Sequence, residues 1–474
     1  MAVEHLPKSK IHAKSLTKKK GKNALKRAKL RETLANKVAQ PNKPSFKAIH
    51  NAVNLKNLNF DRERICSVTL SSANLFMCLT CGEIFQGQSN NTPAFNHSVD
   101  FASDGDESML QHRIFIALHN FYIYQMPEMQ ELDMDNTDAL LNLIKANCNP
   151  SVTDVSIQKC QSYLNHNDYY TGYTPLMSGA TFDSHVSTVL HMLNQIRPLI
   201  KSILLRYDRD TEKTPFEQAF VNILKKQWNP NMIKPCVSLI EFEAQLQMAY
   251  PEFAKLPRDP RFVYLWMINH FSDKSVIQTI DHIMKGKIEM CKTPLDTQTL
   301  LPNGSSTKTQ TLFTILSLDL PTVSVFKQRN LVSIHDSNAV QNTTSLKSLV
   351  DSKLHKPHVS KDSKFQLEYT VRTCPKYMVL HFNRFGDSLL SNGDKGTTRN
   401  KAIVEYQPEM FEFFPGSFYS LKYNLTYDND SFKSQFAIGG NRFVELDGIK
   451  LKERDPNLLF LSESYMQLWE LLET

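Results

Sequence analysis

Cys78 and Cys81 are separated by two residues in the string CLTCG, and His97 and His112 follow within about thirty residues. A C-x-x-C turn aims both sulfurs inward, and a bound metal lowers their pKa so that both bind as thiolates. With two imidazoles they complete a tetrahedral set of the kind zinc favours. Cys66 and His119 are the alternative ligands, and a redox C-x-x-C or two unrelated buried thiols are the competing readings. Four protein ligands leave no coordination position for water, so one structural zinc ion is expected rather than a catalytic one. Such an ion would contribute roughly 10–16 kcal/mol of binding energy to the folding of a short, loop-rich segment.

The elements around these ligands read as a compact domain over residues 46–133. Its expected core includes Cys66, Val68, Leu70, Leu75, Phe76, Phe85, Phe95, Val99, Ile114, Phe115, Leu118, Phe121 and Tyr124. RIFIALHN reads as the start of a helix, NFYIYQM as a strand, and the acidic ASDGDESMLQ as a loop. Residues 134–168 read as a connector carrying a helix in DNTDALLNLIKANC, capped by Asn136 or Thr137.

The chain has 474 residues, 41% hydrophobic and 22% charged, which argues for several domains of ordinary globular composition. No apolar run approaches eighteen residues, so no membrane span is expected. MAVEHLPKSK lacks the apolar centre of a secretory signal. Apart from the pair, the eight cysteines are scattered, which suggests reduced thiols rather than a disulfide framework. Charge is placed unevenly. Residues 1–43 hold eleven Lys and two Arg against two Glu, a net +11, whereas the whole chain is +7. Residues 1–45 therefore read as a disordered basic tail, with a thin helical pattern around Asn23–Lys37. Its density of Lys suits nuclear import or contact with RNA phosphates.

Residues 169–474 read as an α+β body. HVSTVLHMLNQIRPLIKSILL, FEQAFVNILKKQW, LIEFEAQLQMAY and DPRFVYLWMINHF carry helical periods. After about Lys285 short strands take over, among them YMVLHFNRF, SFYSLKYNLTY, SQFAIGG and NRFVELD, with VQNTTSLKSLVDSKLHK a polar stretch between strands.

The string CSVTLSSANLFMCLTCGEIFQGQ, then FNHSVDF and HRIFIALHNFYIY, resembles the zinc finger of ubiquitin proteases. Taken with TGYTPLMSGATFDSHVSTVLHMLNQIRPL, MVLHFNRF, TTRNKAIVEY, NRFVELDGIKL and LSESYMQLWELL, it resembles the spliceosomal, tri-snRNP-associated ubiquitin-specific-protease-like family over about residues 55–474. The resemblance implies a UBP-type zinc finger followed by a papain-like ubiquitin-specific-protease fold. In active relatives a Cys begins the helix after the first box, and a His stands in a Gly-His-Tyr strand near the end. Cysteine catalysis needs that pair, because the imidazole generates the thiolate and later protonates the leaving amine.

This chain departs from the pattern at both places. Asp183, or Ser184 one place on, stands at the Cys position, and no cysteine lies between Cys160 and Cys236. Gln435 stands at the His position, and Asp447 matches the residue that would orient that His. Loss of a single nucleophile costs on the order of a millionfold in a serine protease. His185 and His381 read as packing or surface histidines. The body also lacks the paired C-x-x-C of many active relatives, and Gly87-Gln88 replaces the Gly-Arg of fingers that read a free ubiquitin tail.

The expectation is therefore an inactive pseudo-deubiquitinase without catalytic residues. It would act in the nucleus as a scaffold in pre-mRNA splicing that associates with the tri-snRNP. Its partners would be spliceosomal snRNP proteins, with snRNA reached through the basic tail and no membrane contact. The alternatives are a ubiquitin-binding adaptor, an active ubiquitin thiolesterase, and an RNA-binding protein acting through its tail.

Overall fold

The computed structural model describes residues 44–100, 110–132, 137–178, 184–206, 213–253, 258–295, 304–321, 343–360, 364–385 and 399–473. The tail, its helical pattern around Asn23–Lys37 and most of the acidic loop lie outside these residues, as does Asp183. The chain divides into two compact units. The first holds the N-terminal part through Ser151 together with two short segments from further along, Ser162–His166 and Asn231–Lys234.

A five-stranded antiparallel sheet builds the first unit, in the order β2-β1-β3-β4-β5. The strands are β1 (Leu75–Cys78), β2 (Ile84–Gln86), β3 (Ile114–Ala117), β4 (Ile123–Gln125) and β5 (Gln130–Glu131). Helices α1 (Phe46–Ala52), α2 (Pro93–Asp100) and α3 (Ala139–Cys148) accompany it. Alternation along β1 and β3 sends Met77, Ile114 and Ile116 into one apolar cluster and Phe76, Phe115 and Ala117 into another. Both faces are thus covered, and all four residues of β3 are buried. RIFIALHN is accordingly a strand and not a helix start. A strand buried on both faces loses its polar alternation and cannot be told from a helix by period alone.

Other expectations change in similar ways. Val68 and Leu70, expected in the core, are 66% and 74% exposed on the turn that follows Cys66. The cap of α3 is Asp138, whose carboxylate accepts from the Leu141 N–H at 2.9 Å, rather than Asn136 or Thr137. A side-chain oxygen one residue closer to the first turn reaches the orphan N–H groups directly. The helix read as part of a connector packs Leu141, Ile144 and Cys148 into the first unit's core.

In the second unit a helical layer comes first: α4 (Ser184–Asn194), α5 (Arg197–Arg206), α6 (Pro215–Gln227), α7 (Ile240–Ala249), α8 (Pro260–Asn269) and α9 (Lys274–Ile283). The long apolar period from His185 splits into α4 and α5 because Pro198 has no N–H with which to continue the ladder, whereas the first turn of a new helix tolerates it. α6 opens with a full capping box between Thr214 and Glu217. A large sheet follows in the order β12-β16-β23-β19-β20-β21-β22, with β12 at Leu316–Asp319 and β22 at Lys450–Arg454. Its strands include β16 (Tyr377–Asn383), β19 (Ser417–Asp428), β20 (Ser431–Gly439), β21 (Arg442–Asp447) and β23 (Ser464–Leu471). Its core gathers Leu318, Leu380, Phe382, Tyr419, Leu421 and Trp469. The polar stretch near residue 345 is more ordered than its composition suggests. Thr343–Ser345 pairs as a strand, and Leu346–Val350 forms a short helix with Leu346 fully buried.

α4 lies at the centre of this unit. Every residue from His185 to Asn194 is buried. At its end the Asn194 amide donates to the Gly172 carbonyl at 2.7 Å, and its oxygen accepts from the Trp228 indole at 2.9 Å. At its start it faces β20, and that junction is the second place where chemistry could be sought.

Candidate functional site

Two places carry the residues singled out above. The first is the end of β1. There the chain turns tightly through Leu79-Thr80-Cys81-Gly82, and the Gly82 N–H bonds the Cys78 carbonyl at 2.8 Å. Gly82 has φ +77°, and an added Cβ would lie 2.1 Å from the Asn57 carbonyl oxygen, so only glycine fits. His97 comes from the last turn of α2. His112 precedes β3 at φ 61°, in the left-handed region.

The donor atoms of Cys78, Cys81, His97 and His112 all lie within 4.8 Å of one another. Cys78 Sγ is 3.8 Å from His112 Nδ1, Cys81 Sγ is 3.6 Å from His97 Nε2, and the two nitrogens are 3.0 Å apart. Bonds of about 2.0–2.3 Å to zinc would space tetrahedral ligands by roughly 3.3–3.8 Å. The two sulfur–nitrogen distances fall in that range and the nitrogen pair lies just below it, so the donor set and its spacing are close to what such an ion needs. The Cys81 thiol is held well below its ordinary range, first by the hydrogen bond from Cys78 and then by His97. Phe85 stacks on the His97 ring at 4.3 Å and fixes its plane.

The two alternative ligands lie outside this group. Cys66 is fully buried in the core, and its sulfur accepts from the N–H groups of Val68, Thr69 and Gln86. His119 is exposed and meets the edge of Phe76.

The second place is the start of α4. The first described residue of this helix is Ser184, and its Oγ accepts from the Phe432 N–H at 3.1 Å. A cavity of about 220 Å³ opens here, lined by Ser184, Thr188, His191, Phe432, Ser434 and Asp447 among others. Gln435 does not face it. Successive side chains on β20 point to opposite sides, so Phe432 and Ser434 look toward α4 and Gln435 looks away. Gln435 is fully buried, accepts from Asn424 at 2.7 Å, and donates to Glu445 at 2.9 Å and Ser462 at 3.0 Å. Asp447 pairs with Lys433 at 3.2 Å.

Three buried histidines stand in α4 and β16. His191, which the sequence reading passed over, has both ring nitrogens engaged. Nε2 lies 3.1 Å from the Thr174 carbonyl and must donate, so Nδ1 accepts from the Ser434 hydroxyl at 3.2 Å. Burial pushes this imidazole down to about 4. Its signal in the sequence was a polar residue inside the apolar stripe of α4, seven positions after Ser184. His185 is buried and stacks on Phe253 at 5.8 Å. His381 is buried in β16 beside Ser317.

A model of the zinc finger found in ubiquitin hydrolases and other proteins matches residues 66–137. The chain is 28% identical over 466 residues to the pre-mRNA-splicing factor SAD1 of Saccharomyces cerevisiae, covering 92% of this chain and 96% of that one. It is 22% identical over 471 residues to human ubiquitin carboxyl-terminal hydrolase 39, covering 88% and 78% respectively. The crystal structure of an essential yeast splicing factor matches its fold with a TM-score of 0.70 and 26% identity, over 90% of this chain and all of that one. The class is a UBP-type zinc finger joined to an α+β ubiquitin-specific-protease-like body. Within that class the chain is similar to yeast SAD1 along nearly the whole length of both chains.

Proposed function

We propose that this protein serves in pre-mRNA splicing as a non-catalytic scaffold that associates with the tri-snRNP and supports its assembly or stability. The observation that carries the non-catalytic part is the start of α4. Asp183, or Ser184 one place on, stands where cysteine chemistry would need a thiol, and the group that meets the Ser184 hydroxyl is a backbone N–H. An imidazole must reach the nucleophile to take its proton, and the ring nitrogens of His191 are spent on Thr174 and Ser434. The splicing part is supported by the likeness to yeast SAD1, which spans both finger and body.

In this reading the finger holds one structural zinc ion through Cys78, Cys81, His97 Nε2 and His112 Nδ1. The ion supplies folding free energy to a unit whose ligands come from three separate segments. A nuclear scaffold of this kind works through its surfaces. The +11 tail would add salt-sensitive contacts to snRNA phosphates beside snRNP proteins.

Affinity purification of the tagged chain from nuclear extract, followed by identification of bound proteins and RNAs, tests the reading. Tri-snRNP components are expected, and deleting residues 1–43 should weaken RNA contact while sparing the proteins. A ubiquitin–fluorophore substrate should be left intact. Turnover that vanished in Asp183→Ala or Ser184→Ala would refute the scaffold.

A further inference from the structure

Thr80 lies between the two cysteine ligands, and its hydroxyl is fully used. Oγ1 donates to the Ala52 carbonyl at 2.7 Å and accepts from the His112 N–H at 2.9 Å. One side chain thus bonds the end of α1 on one side and the main chain of the fourth ligand on the other. His112 needs such a hold. Its φ of 61° is a conformation that non-glycine residues disfavour. It also presents Nδ1, the ring nitrogen nearest the backbone. Only two side-chain torsions separate that atom from the main chain, so a drift of the backbone is passed almost undiminished to the donor atom.

The anchor of this arrangement comes from ahead of the finger's matched region, which begins at Cys66. Besides Ala52, the Asn54 N–H bonds the Leu79 carbonyl at 2.9 Å, and the Asn57 amide bonds the Thr80 carbonyl at 2.9 Å. The segment 52–57 therefore clamps the turn that carries both sulfurs, and Thr80 extends the clamp to the distant histidine.

We propose that Thr80 is a positioning residue for the metal centre: its hydroxyl sets the place of His112 Nδ1 and thereby the tightness with which zinc is held. The inference rests on the zinc reading given above.

The test uses the full chain with Thr80→Val, which keeps the shape and loses both hydrogen bonds, and Thr80→Ser, which keeps the hydroxyl. Zinc affinity is read by competition with a chromophoric chelator. Cobalt(II) substitution then reports the ligand field through its visible absorption. Loss of a group that orients a metal ligand typically costs 10–100-fold in affinity. Thr80→Val should fall in that range with an altered cobalt band, and Thr80→Ser should stay near the parent in both. Asn57→Ala, which loosens the clamp without touching the His112 bond, should leave the cobalt band unchanged. Metal binding and folding are coupled in such units, so a variant unfolded without metal still reports through the cobalt titration. A parent chain that takes no zinc brings down the metal reading and this inference together. A parent that binds zinc while Thr80→Val binds it equally well, with the same cobalt band, overturns the inference alone.

Discussion

Gly82→Ala offers a measurement in which two costs can be separated. At φ +77° an alanine pays about 1–2 kcal/mol for the left-handed conformation. Its Cβ would also arrive 2.1 Å from the Asn57 carbonyl oxygen, a backbone atom with no side-chain freedom to retreat. Asn57 would have to move by about an ångström, since close-packed carbon and oxygen do not share that space. That displacement strains its bonds to the Asn54 carbonyl at 3.1 Å and the Thr80 carbonyl at 2.9 Å. Each such bond is worth about 0.5–1.5 kcal/mol net, which brings the total to about 2–5 kcal/mol. Gly416 supplies the control. It has φ +78° and nothing within 4 Å of an added Cβ, so Gly416→Ala should show the conformational cost alone. Calorimetry of the zinc-loaded full chain would read each loss in the transition of its own unit. For a unit of about a hundred residues, 2–5 kcal/mol lowers the midpoint by roughly 10 °C or more. If Gly82→Ala cost no more than Gly416→Ala, the clamp at Asn57 would carry no weight and the reasoning would fail.

Three further outcomes are expected. His191 is neutral when folded, with its pKa pushed down to about 4 by burial, whereas an unfolded histidine titrates near 6.5. Between those values the unfolded chain binds more protons, so stability is level above pH 6.5 and falls by about 3 kcal/mol as pH drops to 4. His191→Gln should flatten that part of a urea-midpoint profile, and an unchanged slope would count against it; His381, also pushed down by burial, contributes separately. Gly172→Ala, at φ +81° with its Cβ 2.6 Å from the buried Trp228 ring, should lower the second unit's stability by about 2–4 kcal/mol in chemical denaturation, with a shift under half a kcal/mol counting against it. Glu217→Ala removes the acceptor of the Ser272 N–H and hydroxyl at 2.6 and 2.7 Å and the partner in the Thr214 capping box; about 2–4 kcal/mol should be lost, and helix content unaltered up to the parent's melting point would contradict it.

The metal ligands were legible because their chemistry is local: a C-x-x-C turn dictates the direction of two sulfurs whatever surrounds it. The helical and stranded halves of the body were legible for a related reason, since their periods extend over many residues. What could not be read depended on pairing across the chain. The exposure of Val68 and Leu70 follows from the three N–H groups that converge on the Cys66 sulfur, one of them from Gln86. The strand at Ile114–Ala117 was masked by burial on both faces. The direction of Gln435 depends on the register of the β19–β20 hairpin, which pairs it with Asn424. Thr80 went unnoticed because its partners, Ala52 and His112, lie 28 and 32 residues away.

The make-up of the first unit has a consequence for how this gene could be cut or recombined. Its core takes in Ile233, whose N–H bonds the Asn147 oxygen at 3.0 Å, while the Asn147 amide bonds the Asn231 carbonyl at 2.7 Å. Tyr163 and Leu164 add a rung to Met232 and Ile233. A break placed after the finger, at the boundary its sequence advertises, would leave Ile144 and Cys148 facing water and strand both borrowed segments. Exchange of the finger by simple fusion should therefore fail where exchange of the whole chain succeeds.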